Sequence, residues 1–487
     1  MLIPLTFPPG VYRNGTDLQS AGRWRDASCV RWAEGVMKPV GGWSARKDTS
    51  LDVAPRGALA WSDLAGDRRI AFGTFDGLYS MTAANVVSDI TPAGLTSGLE
   101  SSSVNVGYGG GPYGLGTYGT PRSDSGVYAP VTTWSFDTWG EDLIACSSSD
   151  GKIYEWGLNP AVLPTAITGA PTDNAAALVT EERFLFALGA GGDPRKVQWC
   201  DREDYSVWTP AATNEAGDMQ LQTQGRIMQG LRARGQSLIL TDLDAHAATY
   251  VGPPFVYGFE RVGAACGVIS SLAGVSVGGV AYWMGRKAFY RYAGGAVEEI
   301  ACEVSDYVFP NLTESQKSKV WAVVNAGFHE VWWFYPQSAE CDNYVVYNYR
   351  ENHWTVGALS RTAGVDAGVF ANPIWFDADA VLYDHETGAA YGGADVYAET
   401  GPISVGGNVV SVTDLIPDEA TQGDVTVTFK TRFYPNDTET DHGPYTMAAP
   451  TSVRFQGRQI RMRVTGDALT SWRWGIPRID VKEMGAR

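Results

Sequence analysis

A short unit recurs through most of this chain, and its period restricts the fold more than any other feature. Residues 132–160 read TTWSFDTWGEDLIACSSSDGKIYEWGLNP. Two apolar runs, 143–146 and 152–156, flank Ser-Ser-Ser-Asp-Gly, and a Trp-rich run at 133–139 precedes them. Asp-Gly between strand-like runs marks a hairpin, because tight turns between strands favour φ > 0. That places about three strands in under about thirty residues, with little room for a helix. Residues 58–81 repeat the pattern, with Asp76-Gly77 before Leu78-Tyr79 where the first copy has Asp150-Gly151 before Ile153-Tyr154. Looser copies follow at 177–208, 231–251, 277–297, 320–354 and 374–391. Their starts lie roughly 43 to 54 residues apart, the length that four short strands and their turns require in a propeller blade. The expected fold is all-β: a β-propeller of about seven blades, six being the alternative count, over residues 51–395. Its first and last blades need closing, and a strand within 44–61 that pairs near 381–391 would do so.

The rest of the chain differs from this pattern. Residues 1–50 form an extended N-terminal docking segment in this reading, opened by Pro8-Pro9-Gly10. Residues 97–131 interrupt the period with a Gly/Tyr-rich insertion, GYGGGPYGLGTYGTPRSDSG at 107–126. Gly114, Gly116 and Gly119 match G-x-G-x-x-G. A dinucleotide loop needs a strand before it and a helix after it, and here Pro112 and Thr120-Pro121 stand in those places. The insertion reads instead as a surface loop whose Tyr108, Tyr113 and Tyr118 line a lumen or meet a neighbour. Residues 396–487 form a C-terminal antiparallel, sandwich-like β domain, with strands expected at 403–412, 424–433, 453–464 and 472–481. The domain is locally basic, through Arg454, Arg458, Arg461, Arg463, Arg473 and Arg478. The best short helix lies at 313–319, with Thr313 and Gln316 at capping-box spacing.

The chemical motifs fail on context. Gly274-Val-Ser276-Val-Gly278 fits a nucleophile elbow, which requires a strand-to-helix turn, but the sequence continues as strand through Trp283. The five histidines never pair at metal-ligand spacing. Asp242/Asp244 and Asp377/Asp379 lack the glycine and distal glutamate of a calcium loop and read as turn carboxylates. No catalytic residue, cofactor or metal is expected. Six scattered cysteines suit a reducing compartment. The opening Met1-Leu2-Ile3-Pro4 has no basic and apolar signal segments, and no apolar run reaches membrane-span length. A net charge of −17 is a poor basis for gripping duplex DNA, although it would suit a wall past which DNA slides.

The run Pro9-Gly10-Val11-Tyr12-Arg13-Asn14-Gly15-Thr16 is followed by Gly22-Arg23-Trp24, Val30-Arg31-Trp32, Gly35 and Pro39-Val40-Gly41-Gly42-Trp43. Together these resemble the opening of tail proteins of tailed bacteriophages, most of all the tail nozzle of short-tailed phages. Residues 446–463 and the basic C-terminus are similar to the end of the same family. The resemblance implies a structural virion protein made in the host cytoplasm, with propeller subunits in a homo-hexameric ring below the portal and its adaptor protein. It also implies attachment of tail fibres or spikes, and DNA passing through without sequence-specific binding. Arg23, Arg25, Arg31, Arg454, Arg458, Arg461 and Arg463 are the candidate contacts to the next subunit or the adaptor. The rival expectation is a glycosidase or receptor-binding propeller acting on host surface polysaccharide.

Overall fold

The computed structural model describes residues 1–104, 128–403, 408–466 and 471–484. Among these residues, seven four-stranded antiparallel sheets form the blades of a β-propeller. The innermost strands are Ala58–Ser62, Trp134–Trp139, Ala176–Val179, Ile227–Ala233, Gly274–Val277, Trp321–Asn325 and Ala363–Val365, numbered here as blades 1 to 7. Each inner strand lies beside the next, and blade 7 returns to blade 1. The weak repeats at 177–208 and 374–391 are therefore true blades. Blade 3 gains an outer strand at Gly217–Gln220, and blade 7 begins earlier than its repeat, at Ala363.

Blade 7 takes its outermost strand from the other end of the chain. Trp43–Asp48 runs antiparallel to Val381–His385, with Trp43 opposite His385 and Asp48 opposite Val381. This is the closure anticipated from 44–61; the remainder of that window is link and the start of blade 1.

The core lies between blades rather than around a centre. Ile70 and Phe72 of blade 1 pack with Ile374, Phe376 and Leu382 of blade 7. Trp61 and Ala71 pack with Leu143 and Tyr154 across blades 1 and 2, and Phe186 and Trp199 with Ile239 and Tyr257 across blades 3 and 4. Burying each large side chain stabilises by about 1.5–3 kcal/mol. Several indoles also donate their N–H to a neighbouring blade or its link: Trp134 to the Thr74 carbonyl (2.7 Å), Trp61 to Glu141 (3.0 Å) and Trp333 to Ala273 (2.9 Å). A buried indole needs such an acceptor, which gives the high tryptophan content a physical role.

The C-terminal region is a sandwich of two sheets, and the N-terminal segment supplies a strand to each. Leu2–Pro4 joins Arg478–Glu483, Val410–Ile416 and Thr451–Gly457. Trp24–Ser28 edges the second sheet, beside Tyr397–Thr400, Gln459–Gly466, Val425–Arg432 and Thr440–Thr446. Phe429 and Phe455 meet between the sheets at 4.8 Å. Residues 1–50 are thus not a free docking segment. They are shared among the sandwich, a hairpin (Val30–Ala33 with Val36–Pro39) and blade 7.

The stretch 453–464, read as one strand, is two strands in different sheets. Among its core residues, Val453 and Phe455 are odd-numbered while Ile460, Met462 and Val464 are even-numbered. That change of phase is what a chain crossing from one sheet to the other produces. The helix expected at 313–319 is a 3-10 helix, Glu314–Lys319, and Thr313 bonds to the Gln337 carbonyl instead of capping it. A short α-helix at Ser305–Asn311 had no clear sequence signal, because Pro310 sits inside it.

Candidate functional site

Three places bear on function: the propeller axis, the foot of the insertion, and the arginines of the two chain ends. Along the axis the inner strands enclose a cavity of about 440 Å³. Its walls are small, among them Gly57, Ala58, Ala176, Ala177 and Gly230, and its polar side chains mostly tie blades together. Ser135 Oγ accepts the Ala177 N–H (2.9 Å), and the Gln229 amide exchanges two hydrogen bonds with the Gly274 backbone (2.8 and 3.0 Å). Asp137 is the single carboxylate among the residues lining this cavity. It accepts the Val179 N–H (2.8 Å) and the Thr138 N–H (2.8 Å) and is bonded to Arg232, whose Nε also donates to the Val179 carbonyl (2.8 Å). Burial pushes its pKa up, against the pull of Arg232 and the two N–H groups. Asp137 thus clamps blades 2, 3 and 4 at one mouth of the channel. A glycosidase requires a pair of carboxylates about 5–10 Å apart.

The opposite mouth is crossed by the foot of the insertion. Ser103–Val104 pairs with Tyr128–Ala129. This two-stranded foot emerges between blades 1 and 2 but is fastened to the link between blades 5 and 6. Tyr128 Oη donates to Ser318 Oγ (2.9 Å), the Val131 N–H reaches the same oxygen (3.1 Å), and Lys319 Nζ donates to Ser101 Oγ (3.0 Å). Ser102 Oγ bonds to the Ser315 carbonyl. Thr133 and Ser271 add a hydroxyl pair at 2.8 Å. The insertion is therefore rooted across the propeller face and not at a blade edge. Tyr108, Tyr113 and Tyr118 lie outside the described residues.

The structure divides the seven candidate arginines. Arg31 is buried, 3% exposed, and grips two carboxylates: Glu330 through Nε and Nη2 (3.0 Å each), and Glu386 through Nη1 (2.9 Å). Its guanidinium also covers the Phe328 ring at 3.7 Å. Burial works against its charge, but Glu330 and Glu386 hold it firmly protonated. It locks the N-terminal hairpin onto blades 6 and 7 and is removed from the interface set. Arg23 pairs with Glu303 (2.7 Å), beside blade 6.

Arg25, Arg461 and Arg463 come together, along with residues the sequence reading missed. Arg461 faces Asp17 (2.5 Å), Glu439 (3.0 Å) and Glu399 (3.3 Å). Arg432 also binds Asp17, Lys430 binds Glu399 (2.8 Å), and Arg25 lies 3.8 Å from Asp17. Arg463 covers the Tyr397 ring at 3.5 Å. Burial would raise the Asp17 pKa, but Arg432 and Arg461 override it and hold the carboxyl below its usual value. Arg461, Arg432 and Lys430 are thus neutralised within the chain, and the two arginines fasten the N-terminal segment to the C-terminal sheet. Arg454 stays exposed, and Arg458 lies 5.4 Å over the Tyr434 ring. The signal that could have exposed the network is the acidic trio Asp17, Glu399 and Glu439, but nothing local in the sequence links residue 17 to residue 461.

The remaining motifs are structural. Gly274–Val277 is a strand that turns through Gly278-Gly279 into Val280–Met284. Asp377 Oδ1 accepts the N–H groups of Asp379 and Val381 (3.0 and 2.9 Å), as a turn carboxylate does. Among the described residues no three His, Cys, Asp or Glu side chains gather as a metal set. All six cysteines are unpaired, and burial pushes the Cys146 and Cys341 thiols up to about 12.

No family model matches this sequence, and no curated protein matches it. Solved structures resemble it in fold. Virginiamycin B lyase from Staphylococcus aureus is 7% identical, with a TM-score of 0.45 over 70% of this chain and 98% of that one. BamB from Moraxella catarrhalis is 9% identical, with a TM-score of 0.37 over 74% and 93%. A family 43 arabinoxylan arabinofuranohydrolase from Bacillus subtilis is 10% identical, with a TM-score of 0.28 over 90% and 97%. At such identities the likeness is one of fold alone, and nothing about activity is carried over.

Proposed function

We propose that this chain is a structural subunit of a short-tailed phage tail, part of the nozzle through which DNA leaves the virion. The observation that carries the reading is the joining of its two ends. The stretches that resemble the phage family, 9–43 and 446–463, lie more than 400 residues apart and fold against each other through the sandwich and its ion-pair network. They form one body fixed to the propeller by Arg31 and the closing strand. The axial cavity is far too small for a duplex, so a conduit must lie between copies, with propellers and sandwiches as its wall. The net charge of −17 would keep phosphate from adhering to that wall. In this reading the subunit forms a homo-hexameric ring, docks under the portal adaptor and carries fibres or spikes. The test is electron microscopy of purified protein and of virions, with the subunit mass measured in parallel. Six-fold rings, or density in the tail stem, are expected. A monomer at all concentrations that is absent from virions would overturn the proposal.

A further inference from the structure

Between blades 3 and 4, on the face where the inner strands begin, two adjoining cavities of about 370 and 420 Å³ share Gln222 and Arg261. His246 forms part of the wall. It is 3% exposed, and its Nε2 lies 3.2 Å from Asp244 Oδ1. The same Oδ1 accepts the hydroxyls of Thr241 (2.6 Å) and Thr223 (2.9 Å). The carboxylate is therefore fixed, and it sets the imidazole plane and places the proton on Nε2. In the neutral ring the other nitrogen, Nδ1, is an acceptor, and it has no partner among the described residues. Gln222, Gln224 and Arg261 likewise make no side-chain hydrogen bond among the described residues. Phe259 and Met219 supply an apolar side to the same space.

These groups suit one ligand chemistry. A free imidazole acceptor, amides that both donate and accept, and a guanidinium that only donates stand beside an aromatic ring. Sugar hydroxyls donate and accept in the same way, and a pyranose has a C–H face for the ring. A phosphate fits poorly, because Arg261 is the single cation lining either cavity and Asp244 lies next to it. A metal fits poorly, because among the described residues no three His, Cys, Asp or Glu side chains gather here. We infer that the groove between blades 3 and 4 binds an uncharged sugar unit of a glycan. This rests on the groove alone and stands or falls separately from the nozzle reading, whose test is oligomeric state and place in the virion.

The experiment is ligand-observed saturation-transfer NMR on the full chain with methyl glycosides of glucose, galactose, mannose, rhamnose and N-acetylglucosamine. Inorganic phosphate serves as the competitor. Transfer to at least one glycoside is expected, reduced at least tenfold in Gln222→Ala and in Arg261→Ala. Both residues are exposed, so the fold should survive, and melting curves check that it does. A distant exposed change, Arg68→Ala on blade 1, should leave transfer intact. No transfer to any of the five would overturn the inference, as would transfer unchanged in both groove variants. Displacement of the sugar by phosphate would also overturn it, by showing an anion site.

Discussion

At the scale of single residues, Arg461 is the most consequential surface-facing group. One guanidinium serves three carboxylates drawn from both ends of the chain. Reversing Arg461 and Arg463 to Glu would set two new negative charges against Asp17, Glu399 and Glu439. Because these pairs are mostly buried, the cost should be about 2–4 kcal/mol, more than exposed pairs contribute. Urea unfolding followed by tryptophan fluorescence would measure it, and a change below about 0.5 kcal/mol would return these arginines to the interface set. His385 gives a second prediction. Arg361 Nε donates to its Nε2 (2.9 Å), and the Trp375 ring lies 4.0 Å away. Burial, then the Arg361 charge, holds its pKa well below the ordinary 6.5. The unfolded chain takes that proton near pH 6.5 and the folded one does not. Stability is therefore complete above that pH and falls by about 1.4 kcal/mol per unit below it. His353, also lowered by burial, adds to the slope. His385→Gln keeps an acceptor for Arg361 and should lose less stability than the unsubstituted protein between pH 7 and pH 5. Parallel pH curves for the two proteins would count against this assignment.

At the scale of elements, the closing strand and the insertion should behave oppositely. Trp43 in the closing strand is buried against His385 and Tyr391, ring centres 5.6 and 5.5 Å away. Trp43→Ala empties that space, at a cost of about 3–5 kcal/mol. The melting temperature should drop by several degrees, with blade 7 the first region to exchange amide protons. Deleting 107–120 leaves every bond of the foot described above in place, and the melting temperature should stay within about 2 °C. A large drop would mean that the insertion belongs to the core. These elements also show what the sequence made legible. The blades were readable because each carries its own alternation and its own turn. Gly151, with φ +61, is the left-handed turn that Asp-Gly announced. The sandwich was half legible: the phase change between Phe455 and Ile460 was present in the sequence, but a single alternating run is the simpler reading. The N-terminal strands were not legible as sandwich strands, because Leu2–Pro4 and Trp24–Ser28 are short and their partners lie near the other end of the chain. The arginine site failed for the same reason: charge was visible locally, and its neutralisation was not.

At the scale of the whole molecule, the reading as a wall around DNA predicts no turnover of glycans. A sugar-binding groove with Asp244 as its single lining carboxylate would hold a polysaccharide and leave it intact. Incubating the purified protein with capsular polysaccharide and lipopolysaccharide from its host should release no oligosaccharide. Turnover that vanishes on substituting one carboxylate, with the fold intact, would promote the glycosidase reading. The closing strand carries a consequence for biosynthesis as well. Trp43–Asp48 leaves the ribosome early, yet its partner, Val381–His385, is made more than 330 residues later. At about 5–20 residues per second the wait is on the order of 20–70 s. Throughout it Leu2–Pro4, Trp24–Ser28 and Trp43–Asp48 have no strand mates, and the last blade and the sandwich cannot be finished. Translation thus acts as a timer: no incomplete subunit can present a closed ring, and any copy cut short by a premature stop keeps strand edges without partners.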